Sequence, residues 1–123
     1  MLLLTLAVAL TLPSDMRHAD PRLYRPPVEY RTGNVRVYAH RVDAQTIAKL
    51  CKTRGLSGRI WPLACTWTFP GSRRVPVIIL PKEGRYSPEF MARLEEHEYA
   101  HARGWTQAHE GAVYDPISKD ASQ

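Results

Sequence analysis

Residues 87–109 read SPEFMARLEEHEYAHARGWTQAH, and this stretch decides how the chain folds. Ser87 can accept hydrogen bonds from the free amides of a helix start. Pro88 suits the first helical position, where its missing N–H needs no partner. Phe90, Leu94, His97 and His101 follow at spacings of four, three and four residues, which is one face of a helix. Gly104 can take the left-handed backbone that stops it. The spacing therefore predicts a helix from Pro88 to about Arg103. Histidines stand on its inner face where a core helix would carry Leu or Ile, so that face looks onto the interior or a cleft floor.

The same stretch carries chemistry. His97, Glu98 and His101 form an HExxH pattern. Two imidazoles four residues apart stand one turn above the other and can reach one ion. Glu98 is turned by about 100° from His97, beside such an ion rather than bound to it. From there it can take a proton from a water that zinc has made acidic and return it to a leaving amine. A catalytic zinc site needs a third protein ligand and one open position. After the Gly104 turn, His109 is the first candidate for that ligand. Glu110 is its rival, or else a group that holds a ligand imidazole, and Asp115 is more remote. Glu95 and Glu96 fall to the helix surface, with either able to orient a histidine. Trp105 reads as an anchor for the turn after Gly104.

The segment resembles the zincin metallopeptidases, in the branch whose helix ends in glycine before a third histidine. In the metzincin and astacin-like pattern that histidine falls three residues after the glycine. Here that position is Gln107, and His109 lies two residues farther on. Trp105 and His109-Glu110 are shared with the astacin-like form. The longer spacing is similar to that of small zincin-like proteins of bacteria, phages and plasmids. The resemblance covers residues 75–110 and the rest only loosely. It implies His97, His101 and His109 as zinc ligands and Glu98 as the base. It also implies an edge strand above the helix that pairs with an extended peptide. Val75, Val77, Ile78, Ile79 and Leu80 are the residues placed to supply it. Tyr114 would be an oxyanion stabiliser on a returning loop, against a simpler role as a packed aromatic.

Upstream, VPVIIL (residues 75–80) reads as a strand with Pro76 near its start. IWPLACTWTF (residues 60–69) reads as one or two short strands, with Pro62 at an edge or bulge and Trp61 and Trp67 as core or cleft-wall residues. Asp43 can cap a helix from Ala44 whose apolar face is Ile47, Leu50 and Cys51, with Gly55 able to end it. VEYRTGNVRVYAHRV (residues 28–42) reads as strand, turn, strand, with Gly33-Asn34 at the turn and Arg36 and His40 on a solvent face. Residues 13–27 hold four prolines and no period, and His18 lies in this segment. The expected organisation is a signal or membrane-proximal segment at 1–19, an extended lead-in at 20–27, the zincin-like domain at 28–117 and a frayed tail at 118–123. The fold class is α+β: a minimal zincin-like domain with a small, mostly antiparallel sheet packed on an active-site helix.

MLLLTLAVALTL (residues 1–12) is too short for an ordinary membrane span and suits the apolar core of an export signal. No basic residue precedes it, and Arg17 and Arg22 follow it. The expectation is a periplasmic or secreted protein, or a cytoplasmic one if this run belongs to the fold. Cys51 and Cys65 are the two cysteines, a number that an exported small domain closes as one disulfide. The net charge of +5 is spread without a dense block and comes with no nucleic-acid motif, so no specific nucleic-acid partner is expected. No stable membrane span is expected either. With 123 residues there is room for one domain and a shallow cleft. The sequence reading is zinc-dependent hydrolysis of a peptide or protein substrate, including the peptide part of a cell wall. The alternative is a non-catalytic, zinc-stabilised binding or accessory protein of phage or conjugative machinery.

Overall fold

A computed structural model of the chain describes residues 18–52 and 63–118. The N-terminal apolar run, Gly55, Trp61, Pro62 and residues 119–123 lie outside the described residues. In chain order the elements are β1 (Tyr24–Arg25), a 3-10 turn (Val28–Tyr30), β2 (Tyr38–Val42), α1 (Ala44–Lys52), β3 (Cys65–Trp67), β4 (Val77–Pro81), α2 (Pro88–Ala102) and β5 (Val113–Tyr114). The fold is α+β with a small mixed sheet ordered β2-β4-β3. β4 runs parallel to β2, with Tyr38 opposite Val77, and antiparallel to β3, with Cys65 opposite Ile79. β1 and β5 form a separate antiparallel ribbon, with Tyr24 opposite Tyr114.

Both helices begin as their sequences dictate. The Asp43 carboxylate accepts from the Thr46 amide at 2.8 Å at the start of α1. That amide bond holds the Asp43 carboxyl below its usual range. Ser87 accepts from the Phe90 amide at 3.2 Å, and Pro88 opens α2. Gly104 follows α2 at φ 116°, a backbone that side chains rarely tolerate.

Strand parity divides the sheet into two faces. Cys65, Val77 and Ile79 point to α1, where they meet Ile47 and Cys51, with Val42, Leu50 and Trp67 packed around them. The alternate residues Thr66 and Ile78, paired across the strands, turn to α2. Phe90, Met91 and Leu94 of α2 pack with Leu63, Ala64, Tyr86 and Ile117. Cys51 and Cys65 are joined in a disulfide with Cα atoms 5.7 Å apart, tying α1 to β3.

Three expectations change. Val77, Ile78, Ile79 and Leu80 lie in β4, the central strand and not an edge, and Val75 lies just before it. Ile78, Ile79 and Leu80 are buried, as befits a strand covered on both faces. Residues 28–30 make a 3-10 turn in place of a first strand, closed by the Tyr30 amide on the Pro27 carbonyl at 2.9 Å. Pro26 and Pro27 just before it have no N–H to give a ladder. Finally, residues 20–27 belong to the folded body. Pro21 and Pro26 are buried, and the Arg25 guanidinium forks onto the Glu96 carboxylate of α2 at 2.9 and 2.8 Å.

Candidate metal centre

α2 brings His97, Glu98 and His101 into the interior, all buried. The third histidine arrives by a turn. The Trp105 amide donates to the Ala100 carbonyl at 3.0 Å, and the His109 amide donates to the Thr106 carbonyl at 3.0 Å. His109 itself sits at φ 60°, the left-handed region. A non-glycine residue there is held by its surroundings at a cost of about 1 kcal/mol or more. That backbone turns the imidazole back toward α2, which absorbs the two extra residues between Gly104 and His109.

The three Nε2 atoms form a nearly equilateral triangle. The spacings are 3.3 Å from His101 to His97, 3.1 Å from His101 to His109 and 3.3 Å from His109 to His97. Three nitrogens about 2.0–2.1 Å from one ion at tetrahedral angles stand roughly 3.3 Å apart. This is a zincin-type metal-binding arrangement. No family model, curated protein or solved structure matches the chain. The assignment of the centre therefore rests on its atoms.

Those atoms fit a cation. His101 Nδ1 lies 2.9 Å from the Trp105 carbonyl, which accepts its proton and leaves the lone pair on Nε2, facing the triangle. Burial, reinforced by His101 and His109, holds His97 well below the usual imidazole range. Burial also lowers His101. It lowers His109 to about 4, helped by His101 and then His18. Neutral rings are the ligating form. Three mutually close lone pairs cannot satisfy one another by hydrogen bonding, whereas one cation satisfies all three. His97 Nδ1 is buried without a hydrogen-bond partner among the described residues. Its cost, about 1–3 kcal/mol, is offset when the opposite nitrogen binds an ion.

Trp105 is the anchor expected of it, and more. Its indole stacks on His101 with an interplanar angle of 18° and meets His97 and His109 edge-on. Its Nε1–H donates to the Glu110 carbonyl at 2.8 Å, closing the loop that carries His109. Glu110 contributes that carbonyl to the site, while its side chain is exposed. Among the described residues the metal-capable group is His97, His101 and His109. Asp115 is engaged elsewhere, with Arg25 at 3.3 Å and Arg93 at 3.5 Å. Glu96 pairs with Arg25 and Glu95 with Arg41. Tyr114 is 64% exposed on β5 and meets Tyr24 edge-on. His18 stacks at a tilt on Tyr24, close enough for its charge to weigh on His109.

Glu98 is only 5% exposed. Burial pushes its carboxyl up to about 7, against the opposing pull of a Thr66 hydrogen bond. The Thr66 hydroxyl donates to Glu98 Oε1 at 2.7 Å. Glu98 stands next to His97 on the helix that carries two of the three imidazoles, so it is positioned to act as a general base. Sequence reading missed Thr66. Its signal was a threonine alternating with Cys65 and Trp67, a parity that Thr68 shares, so the sequence did not single it out.

Proposed function

We propose that this protein is a zinc metallopeptidase acting on peptide or protein substrates outside the cytoplasm. The observation that carries the reading is the convergence of three imidazole Nε2 atoms on the helix that also buries Glu98. His97, His101 and His109 would hold the ion. Bound zinc would lower the pKa of a water and polarise a substrate carbonyl. Glu98 takes the proton of the attacking water and delivers it to the leaving amine. Its buried position excludes bulk water from that transfer.

An extended substrate would pair with β3, which is an outer strand of the described sheet and reaches Glu98 through Thr66. Recognition through backbone hydrogen bonds suits a small domain with a shallow cleft, and cell-wall peptide is within that class. The Cys51–Cys65 disulfide supports a periplasmic or extracellular setting, where such bonds persist. Among the described residues no helix is long and apolar enough to cross a membrane.

The test compares bound metal and cleavage of a quenched-fluorescent random-peptide pool in the parent and in Glu98→Gln. The parent is expected to hold one zinc and to cleave. Glu98→Gln is expected to keep the zinc and lose about 100- to 10,000-fold in rate. Equal cleavage by both proteins would remove Glu98 from the mechanism. Loss of zinc from Glu98→Gln would make the carboxylate a ligand or a structural support.

A further inference from the structure

We propose that Thr66 is a positioning residue for Glu98, holding one carboxyl oxygen while the other handles the reacting proton. The inference rests on the peptidase reading above. Two acceptors lie within reach of the Thr66 hydroxyl: Glu98 Oε1 at 2.7 Å and the Glu98 backbone carbonyl at 3.0 Å. A hydroxyl has one proton to give. While Glu98 is ionised, Oε1 is the stronger acceptor, and the bond is charge-assisted and short. Oε2 is then the oxygen left to take the proton from water. Once Oε2 is protonated, Oε1 becomes a weaker, carbonyl-like acceptor. The Thr66 proton can then be shared with the backbone carbonyl beside it. Only the hydroxyl rotates; no proton leaves Thr66 and no heavy atom moves. The carboxyl keeps one orientation through both halves of the transfer, although its terminal torsion is otherwise soft.

The surroundings fix the hydroxyl in place. Thr66 sits opposite the buried Ile78 in the β3–β4 ladder. Its neighbour Cys65 is tied to α1 by the disulfide, and its neighbour Trp67 packs on the α1 side. Because strand neighbours point to opposite faces, anchoring Cys65 and Trp67 toward α1 aims Thr66 at α2. The covalent link on one face of the sheet thus sets the orientation of the base on the other.

The experiment uses the full chain loaded with zinc and the same peptide pool. Thr66→Val keeps the shape and removes the hydroxyl, and Thr66→Ser restores it. All three proteins are expected to bind one zinc. Thr66→Val should lose about 10- to 100-fold in kcat with KM changed by less than about two-fold. Thr66→Ser should stay within about three-fold of the parent in kcat. Parent-like kcat in Thr66→Val, or an equal loss in Thr66→Ser, would overturn the assignment. A parent that cleaves nothing would count against the peptidase reading, and a second readout then decides this one. In the NMR spectrum of the zinc-loaded parent, the Thr66 hydroxyl proton should be slowly exchanging and should lose that protection in Glu98→Ala. A Thr66 hydroxyl proton in fast exchange with water in the parent would overturn the inference on its own.

Discussion

The α1 face and the α2 face of the three-stranded sheet are held by different means. On the α1 side, Ile47, Ile79 and the half-buried Val42, Leu50, Trp67 and Val77 pack around a disulfide. Among the described residues that face is mainly apolar and covalently tied. On the α2 side, four polar groups, His97, Glu98, His101 and His109, are buried together. Burying polar groups is costly unless each finds a partner. A bound cation would supply it for the three histidines, and the Thr66 hydroxyl supplies it for Glu98. One face is therefore held by apolar packing and a covalent bond, and the other gathers polar groups that can hold a metal ion. A small domain can carry so polar a site because its opposite face is stapled.

The largest expected effect breaks this comparison from the α2 side. Removing metal with a chelator should lower unfolding stability by about 4 kcal/mol relative to zinc at a thousandfold excess over its Kd. Hydrogen exchange should quicken first in α2 and the 105–110 loop while α1 and β4 stay protected. A denaturation midpoint that ignores the chelator would mean that packing alone holds the α2 face. The next effect comes from the other side. Replacing both cysteines, Cys51→Ser with Cys65→Ser, opens a link between residues 14 apart in sequence. The loss should be about 3 kcal/mol by urea unfolding, with zinc stoichiometry unchanged. Loss of zinc along with the disulfide would show that the two faces fold as one cooperative unit at the site.

Acid should act on the α2 face through its histidines. In the metal-free protein their folded pKa values lie below the ordinary imidazole value, about 4 for His109. The unfolded chain therefore takes up protons first, and stability falls as pH drops from about 6.5 toward 4. Glu98 has the opposite sign, since its folded value is raised to about 7. Its stabilising contribution is fully present below the unfolded carboxyl value and is lost as pH rises through about 7. Three histidines against one carboxyl make the net effect a loss in acid. Urea midpoints measured at pH 7, 6 and 5 check this. A metal-free protein more stable at pH 5 than at pH 7 would reverse the balance. The smallest effect sharpens the comparison within the α2 face. Trp105→Phe keeps the ring against His101 and removes the N–H that holds the Glu110 carbonyl. It should cost about 1 kcal/mol and weaken zinc binding several-fold, read by competition with a chelating dye.

Much of the site was legible because its parts are local. Ser87, Pro88 and Gly104 mark the two ends of α2 through the backbone chemistry of one turn each. The four-residue spacing puts His97 and His101 on the same side whatever surrounds the helix. The pairing of Cys51 with Cys65 followed from their number together with the expectation of export. Less legible were the contacts that depend on distant segments. VPVIIL reads as a strand in isolation, but whether a strand is central or at an edge depends on its neighbours. Here β2 and β3 flank it on both sides. The proline-rich segment before Val28 has no period to read, yet Arg25 finds Glu96, 71 residues away, and brings β1 onto the body of the fold.

By itself, then, the sequence determined the active-site helix, its caps, the direction of two imidazoles and the carboxylate beside them, all through interactions within a few residues. Tertiary structure alone decided that His109 takes a left-handed backbone and closes the triangle, that Trp105 clamps its loop and that Thr66 meets Glu98 from across the sheet. Each of these depends on packing between segments far apart in the chain, which no local spacing encodes.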